Sequence, residues 1–252
     1  MGEEAITIRE CETVEEFDEC VRLQREAFGL PDLELSPRRH LIVARSAGGW
    51  TLGAFDGPRM VGFVLTQVAA RGPEVFGYSH MMAVAKGYQN RGIGARLKWA
   101  QRRRALGEGR RLVKWTWDPM QSRNAHFNIN RLGAVVRSYA DNFYGTDYST
   151  VTGKFGEASG LPSDRLAAEW ALDSPRVEAL ARGETPAPFG PAPRAAVEIP
   201  PDWGSLVRED AGAARGELLR VREEFRSAFA SGLVCAGFER DGARPRYLFF
   251  SE

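Results

Sequence analysis

The feature that most restricts this chain is the run Gln89-Asn90-Arg91-Gly92-Ile93-Gly94. Before it, VFGYSHMMAVA reads as a strand; after it, Ile93, Leu97 and Ala100 recur at helical spacing. A strand that turns through two near-adjacent glycines into a helix leaves backbone N–H groups unpaired at the helix start. Those groups and the helix dipole favour an anion, and glycine lets a ligand approach the backbone closely. Arg91 and Arg96 add cationic side chains at the same turn. From Lys86 to Lys114 ten Lys or Arg accompany one acid, Glu108, a surplus suited to a further phosphate outside the loop. The plain alternatives are an ordinary tight turn for the glycines and a solvated helix face for Arg102, Arg103 and Arg104. Among phosphate motifs, the dinucleotide fingerprint G-x-G-x-x-G fails at Leu97, and the P-loop pattern is absent. A third pattern, Q/R-x-x-G-x-G/A after a strand, is matched throughout by residues 89–94.

Local signals organise the rest. AITIREC alternates as a strand, and Thr13 with Glu16 forms a capping box before a helix carrying Val14, Phe17, Val21 and Phe28 on one face. A short helix over Pro37–Arg45 is followed by a hairpin, WTLGAFDG and RMVGFVLTQVAA, turning at Asp56-Gly57. RLVKWTWD reads as a strand, Ser122–Leu132 as a helix stopped at Gly133, AVVRSYADNFYG as strand and turn, and DRLAAEWAL as a further strand. After the short helix SPRVEALARG, six prolines between residues 186 and 201 predict an extended connection. A single amphipathic helix of about 27 residues, Ser205–Ser231, and a hairpin around Asp241-Gly242 close the chain. The expected divisions are a core at 5–155, a flanking strand and helix at 156–183, a proline-rich connection at 184–204 and an extension at 205–252. The class is α/β: a mixed sheet flanked by helices, with a smaller α+β C-terminal extension. The apolar face of the extension needs a partner, either the acceptor side of the core or a second copy in a homodimer.

The 252 residues are 43% hydrophobic and 27% charged, with a net charge of +1. That balance argues against a general nucleic-acid binder, and no reading module or interleaved aromatics accompany the basic helix. The apolar runs are too short to cross a bilayer, and the acidic start MGEEAITIRE lacks a signal pattern. Cys11, Cys20 and Cys235 have no metal-type spacing and read as small apolar fillers in a cytoplasmic protein. No metal site is expected. Trp99, Trp115, Trp117 and Trp170 are expected mainly in the core.

The stretch HMMAVAKGYQNRGIGARLKWAQ, the strand KWTWD and the segment NAHFNINRLGA together resemble the GNAT superfamily of acyl-CoA-dependent N-acyltransferases, over roughly residues 5 to 150. The stretches DPMQSRNAHFNINRLGAVV, NFYG and LPSDRLAAEWAL resemble a bacterial GNAT-related group with a C-terminal extension. The resemblance implies a splayed sheet whose V-shaped opening admits the pantetheine arm of an acyl-CoA. Met82, Ala83 and Val84 would bond the pantetheine amides through their backbone. Gln89, Asn90, Arg91, Gly92, Ile93, Gly94 and Ala95 would wrap the pyrophosphate. Asn124 and Asn128, which read equally as helix-surface amides, would meet the pantetheine or the reacting carbonyl.

The implied reaction is direct attack of an amine on the thioester, helped by a base, a polarised carbonyl and a leaving thiolate. The family's usual acid is a Tyr four residues before the helix-ending Gly, but that position is Ile129. Tyr144 is the expected substitute, with Tyr139 or unassisted departure as alternatives. His80 is the expected base, on one strand face with Met82 and Val84, and its imidazole titrates near working pH. A packed strand histidine is the plain alternative, and His126, Glu74, Asp118 and Glu169 remain open. Acetyl-CoA is the default donor and a small-molecule primary amine the acceptor. Transfer of succinyl from succinyl-CoA to amino acids, and a catalytically silent acyl-CoA-binding module, are the rivals.

Overall fold

The computed structural model describes residues 6–146, 148 and 160–252. They fall into two compact units, Met1–Lys114 and Trp115–Glu252. The first contains β1 (Thr7–Glu10), α1 (Val14–Phe28), α2 (Arg38–Ser46), β2 (Trp50–Asp56), β3 (Arg59–Arg71), β4 (Glu74–Val84), α3 (Ile93–Gly107) and the start of β5 (Leu112–Trp117). Its strands are ordered β1-β2-β3-β4-β5. The first four are antiparallel, and β4 to β5 is parallel, so the sheet is mixed. The capping box at Thr13 and Glu16 is present, and α1 ends at Gly29 in the left-handed region, as a glycine C-cap does. On one face of the sheet Phe17, Cys20 and Leu23 of α1 and Leu41 of α2 pack with Phe63, Leu65 and Ala83. On the other lies α3, with Leu97, Lys98 and Gln101 buried.

The β3–β4 ladder slips by one residue. Leu65 pairs with Met81 and Thr66 with Ser79, so His80 is the extra residue of a β-bulge. Ser79 faces α3, where the Lys98 amine donates to its hydroxyl at 3.2 Å, whereas His80 and Met81 both turn towards α1 and α2.

The second unit continues with α4 (Ser122–Ala125), which runs into a π-helical turn at His126–Arg131, then β6 (Val135–Ala140), β7 (Arg165–Ala171), α5 (Pro175–Ala181), β8 (Ala195–Glu198), α6 (Trp203–Glu209), α7 (Ala211–Ala230), β9 (Leu233–Glu239) and β10 (Arg246–Ser251). Its antiparallel strands are ordered β7-β6-β9-β10-β8. Three details differ from the sequence expectation. The expected 27-residue helix is two, because Asp210 adopts an extended conformation and its side chain caps α7 by accepting from the Ala213 N–H at 2.8 Å. The proline-rich connection includes β8, four proline-free residues that pair with β10. The helix after Ser122 widens into a π turn, where the Asn130 amide donates to the Phe238 carbonyl at 2.7 Å and accepts from the Phe238 N–H at 3.2 Å.

The apolar face of α7 finds its partner within this unit. Phe225 packs against Tyr139, Tyr247 and Phe249 with ring centroids 5.0 to 5.5 Å apart. Behind it Arg222 grips the fully buried Asp164 carboxylate through two hydrogen bonds, 2.8 and 2.7 Å, while the Tyr139 hydroxyl and the Asn142 N–H donate to the same group. The buried Trp115, Trp117 and Trp170 are core residues here, and the half-buried Trp99 lies on α3.

Candidate active site

The loop from Val84 to Gly94 is tied down from several sides. The Gln89 amide donates to the Val84 carbonyl at 3.2 Å, and the Tyr88 hydroxyl to Asp56 at 2.6 Å. The Lys86 N–H donates to the Glu26 carboxylate at 2.7 Å. Asn90 and Gly92 have φ of 63° and 76°; Asn tolerates the left-handed region, and Gly adopts it without strain. Gly92 is the N-cap of α3 and supplies no side-chain bond to the helix. The first N–H groups of the helix are thus open to water or a ligand, and a Cβ built on Gly92 meets nothing within 4 Å. A Cβ on Gly94 would touch the Met82 methyl at 3.5 Å, which brings the turn against the end of β4.

Not every nearby cation is free for an anion. Arg96 donates to the Ile6 carbonyl instead of reaching over the turn. Arg104 and Arg110 pair with Glu108, and Lys114 with Glu74. Arg91 is exposed, its guanidinium 5.1 Å from the Tyr88 ring.

The open edge of β4 supplies the second half of the site. Its parallel ladder with β5 joins Gly77 to Val113 and Tyr78 to Lys114. Among the described residues of this unit, Ser79–Val84 pair with β3 alone. The edge groups of this stretch, which includes Met82, Ala83 and Val84, are thus suited to bond an extended, amide-bearing ligand.

At the bulge, four uncharged or titratable side chains converge. His80 Nε2 lies 3.3 Å from Ser36 Oγ, and its ring meets His40 edge-on with centroids 5.6 Å apart. Gln67 Nε2 lies 2.6 Å from His40 Nε2. Ser36 is fixed by the buried Gln24 amide, which donates to its carbonyl at 3.1 Å and accepts from its N–H at 2.8 Å. Burial, then the neighbouring His40, pushes the His80 imidazole below its usual value, so it is neutral at neutral pH. His80 does not share a face with Met82 and Val84, because the bulge reverses the alternation: Met82 reaches Gly94 and Val84 lies beside Leu97, on the α3 side.

The sequence of residues 12–131 matches the profile of the acetyltransferase (GNAT) family. Over this segment the chain is similar to the GNAT acetyltransferases. Solved structures agree on the fold. The ribosomal-protein-S18-alanine N-acetyltransferase of Escherichia coli superposes with a TM-score of 0.53 at 15% identity, over 68% of this chain and 96% of that one. A protein assigned to the GNAT family from Desulfovibrio desulfuricans gives 0.53 at 15%, over 67% and 99%. A chain of the NatC complex bound to Gag peptide and CoA gives 0.50 at 16%, over 66% and 98%. At such identities these likenesses establish the fold alone. No curated protein sequence matches the chain.

The remaining candidates lie in the second unit. Asn124 is exposed on α4, and Asn128 is buried in the π turn. Ile129, which stands where the resemblance leads to the expectation of a tyrosine, is fully buried. Tyr144 is exposed in the turn after β6, with the Arg165 guanidinium 5.0 Å from its ring. Tyr139 is engaged with Asp164, and burial with that carboxylate pushes its phenol far up, which removes it as a proton donor. Among the alternative bases, Glu74 and Glu169 are held by Lys114 and Arg137. Asp118 accepts from the Met120 N–H at 2.9 Å, and burial raises its carboxyl. His126 lies beside Asn130, and burial followed by the charges of Arg240 and Arg131 lowers it. Sequence reasoning missed His40, Ser36, Gln67 and Gln24, which lie on three elements and the loop before α2 and come together only in the folded unit. Among the described residues no cluster of metal-ligating side chains occurs, and no helix is long and apolar enough to cross a membrane.

Proposed function

We propose that this protein transfers an acyl group from an acyl-CoA, acetyl-CoA by default, to a primary amine of a small molecule. The observation that carries the reading is continuity: the unpaired edge of β4 leads straight into a positive-φ glycine turn and an uncapped helix start. An extended amide chain ending in a pyrophosphate has that shape and charge order. In this reading Met82, Ala83 and Val84 hold the pantetheine through their backbone, Gln89–Ala95 cradle the pyrophosphate, and Asn124 and Asn128 steady the pantetheine or the thioester carbonyl. A protein of similar fold, NatC, has been seen with CoA.

His80 acts as the base. Its unprotonated ring takes one proton of the acceptor ammonium; the amine nitrogen then bonds to the thioester carbon, the carbon–sulfur bond breaks with its electron pair leaving on the thiolate, and the nitrogen's second proton is lost to solvent, leaving the neutral amide. Tyr144 supplies the proton to that thiolate. A cytoplasmic setting accords with three free, buried cysteines. Mass spectrometry of ligands that co-purify with the native protein tests the donor, with an acyl-CoA expected. Turnover over an amine panel tests the reaction: tight CoA binding with no turnover on any amine overturns the enzymatic reading in favour of a silent binding module.

A further inference from the structure

Two imidazoles lie side by side at the bulge, and each has a separate polar anchor. The Gln67 amide donates to His40 Nε2, so the neutral His40 ring carries its proton on Nδ1. Ser36 Oγ meets His80 Nε2, and among the described residues no hydrogen bond engages His80 Nδ1. Ser36 is not a wandering surface hydroxyl: Gln24 clamps its backbone on both sides. The edge-on approach of the rings at 5.6 Å is close enough that a proton on one raises the cost of a proton on the other.

We propose that Ser36, His80, His40 and Gln67 work as one relay, in which the edge-on His40 ring disfavours a lasting charge on His80 and acts as its positioning residue. Accepting a proton at Nδ1, His80 passes the one on Nε2 to Ser36 Oγ as the serine hydroxyl releases its own proton to bulk water, while the neighbouring His40 keeps the ring from staying charged. The proposal rests on the reading of His80 as the base and deepens it. Other groups facing His80 do not compete for this role. Facing it from α2 is His40, while Arg38 of the same helix is paired with Asp18. From α1 comes the uncharged Gln24, while Arg22 is held by Glu19 and Glu26. From β3 comes Gln67, which is not titratable, while Thr66 turns to the other face and accepts from Gln101 of α3. Lys98 of α3 lies on the opposite face of the sheet, against Ser79. Burial and then His40 both lower His80, in the direction the relay requires.

The chain has three histidines, so ring resonances can be assigned from one variant each. Proton NMR titration of the full chain, without any acyl-CoA, is expected to give a biphasic curve for His80 and a single step for His126. In His40→Phe, which keeps an aromatic edge against His80, the His80 midpoint should rise by about half a unit or more. Its curve should become monophasic, and the acid limb of kcat/KM should move to higher pH by the same amount. His40→Gln serves should the Phe variant fail to fold. Ser36→Ala should lower kcat with little change in CoA affinity. An unmoved His80 midpoint in a folded His40 variant overturns the relay even where turnover is normal. Absence of turnover on every amine overturns the acyltransfer reading instead, and the titration still decides whether the rings are coupled.

Discussion

At the scale of single residues, backbone conformation and burial decide most effects. Gly92 has φ of 76° at a helix start with no side-chain cap. Gly92→Asp places a bulky anion there, and CoA affinity in calorimetry should fall at least about tenfold, roughly 1.4 kcal/mol, with the circular dichroism unchanged. Unchanged affinity would detach the turn from CoA binding. Lys98 is the reverse case, a charge-bearing group in the interior. Burial holds its amine well below the usual lysine value, so in the pH window between the two values the folded protein leaves it neutral while the unfolded chain still binds a proton. Between those two values the unfolded state carries more protons, and stability therefore rises with pH. Lys98→Met should raise the melting temperature by a few degrees at pH 7 and lose that advantage near pH 10, as read by calorimetric melts at the two pH values. An advantage equal at both would mean the amine is charged in the fold.

At the scale of elements, what was legible in the sequence was local. The Thr13–Glu16 box and the strand–turn–helix around Gly92 need only neighbours within four residues. The bulge at His80 was not legible, because in HMMAV large apolar side chains stand on both faces and a one-residue slip leaves no mark. The break at Asp210 was hidden because the buried positions Ala214, Leu218, Val221 and Phe225 continue a periodicity that begins in α6. The π turn is stabilised by Phe238, 108 residues downstream of Asn130. The same non-local logic makes Asp164 a keystone between α7 and the start of β7. Asp164→Ala leaves Arg222 without its buried partner and should cost about 3–5 kcal/mol in chemical denaturation. A loss under about 1 kcal/mol would show that Asp141, 3.9 Å from Arg222, takes over the pairing.

At the scale of the whole molecule, the last 69 residues are not a detachable cover. They supply β9 and β10, and β9 pairs with β6 through Val136 and Cys235, while Phe225 fills the core under Tyr139. Removing residues 184–252 should therefore give aggregated protein in light scattering rather than a soluble CoA-binding core; a soluble monomer that still binds CoA would refute this account of the second unit. The spatial order of strands also sets an order in time. In the first unit neighbours in the antiparallel part of the sheet follow one another along the chain, so a ribosome delivers each strand next to one already waiting. In the second, β6 leaves the exit tunnel nearly a hundred residues before the strand that will cover its far edge. At ordinary translation speeds that is roughly 5–20 s of waiting. During that interval the nascent chain presents a bare strand edge to every neighbour on the polysome, and its yield in a cell depends on what shelters that edge until Cys235 arrives.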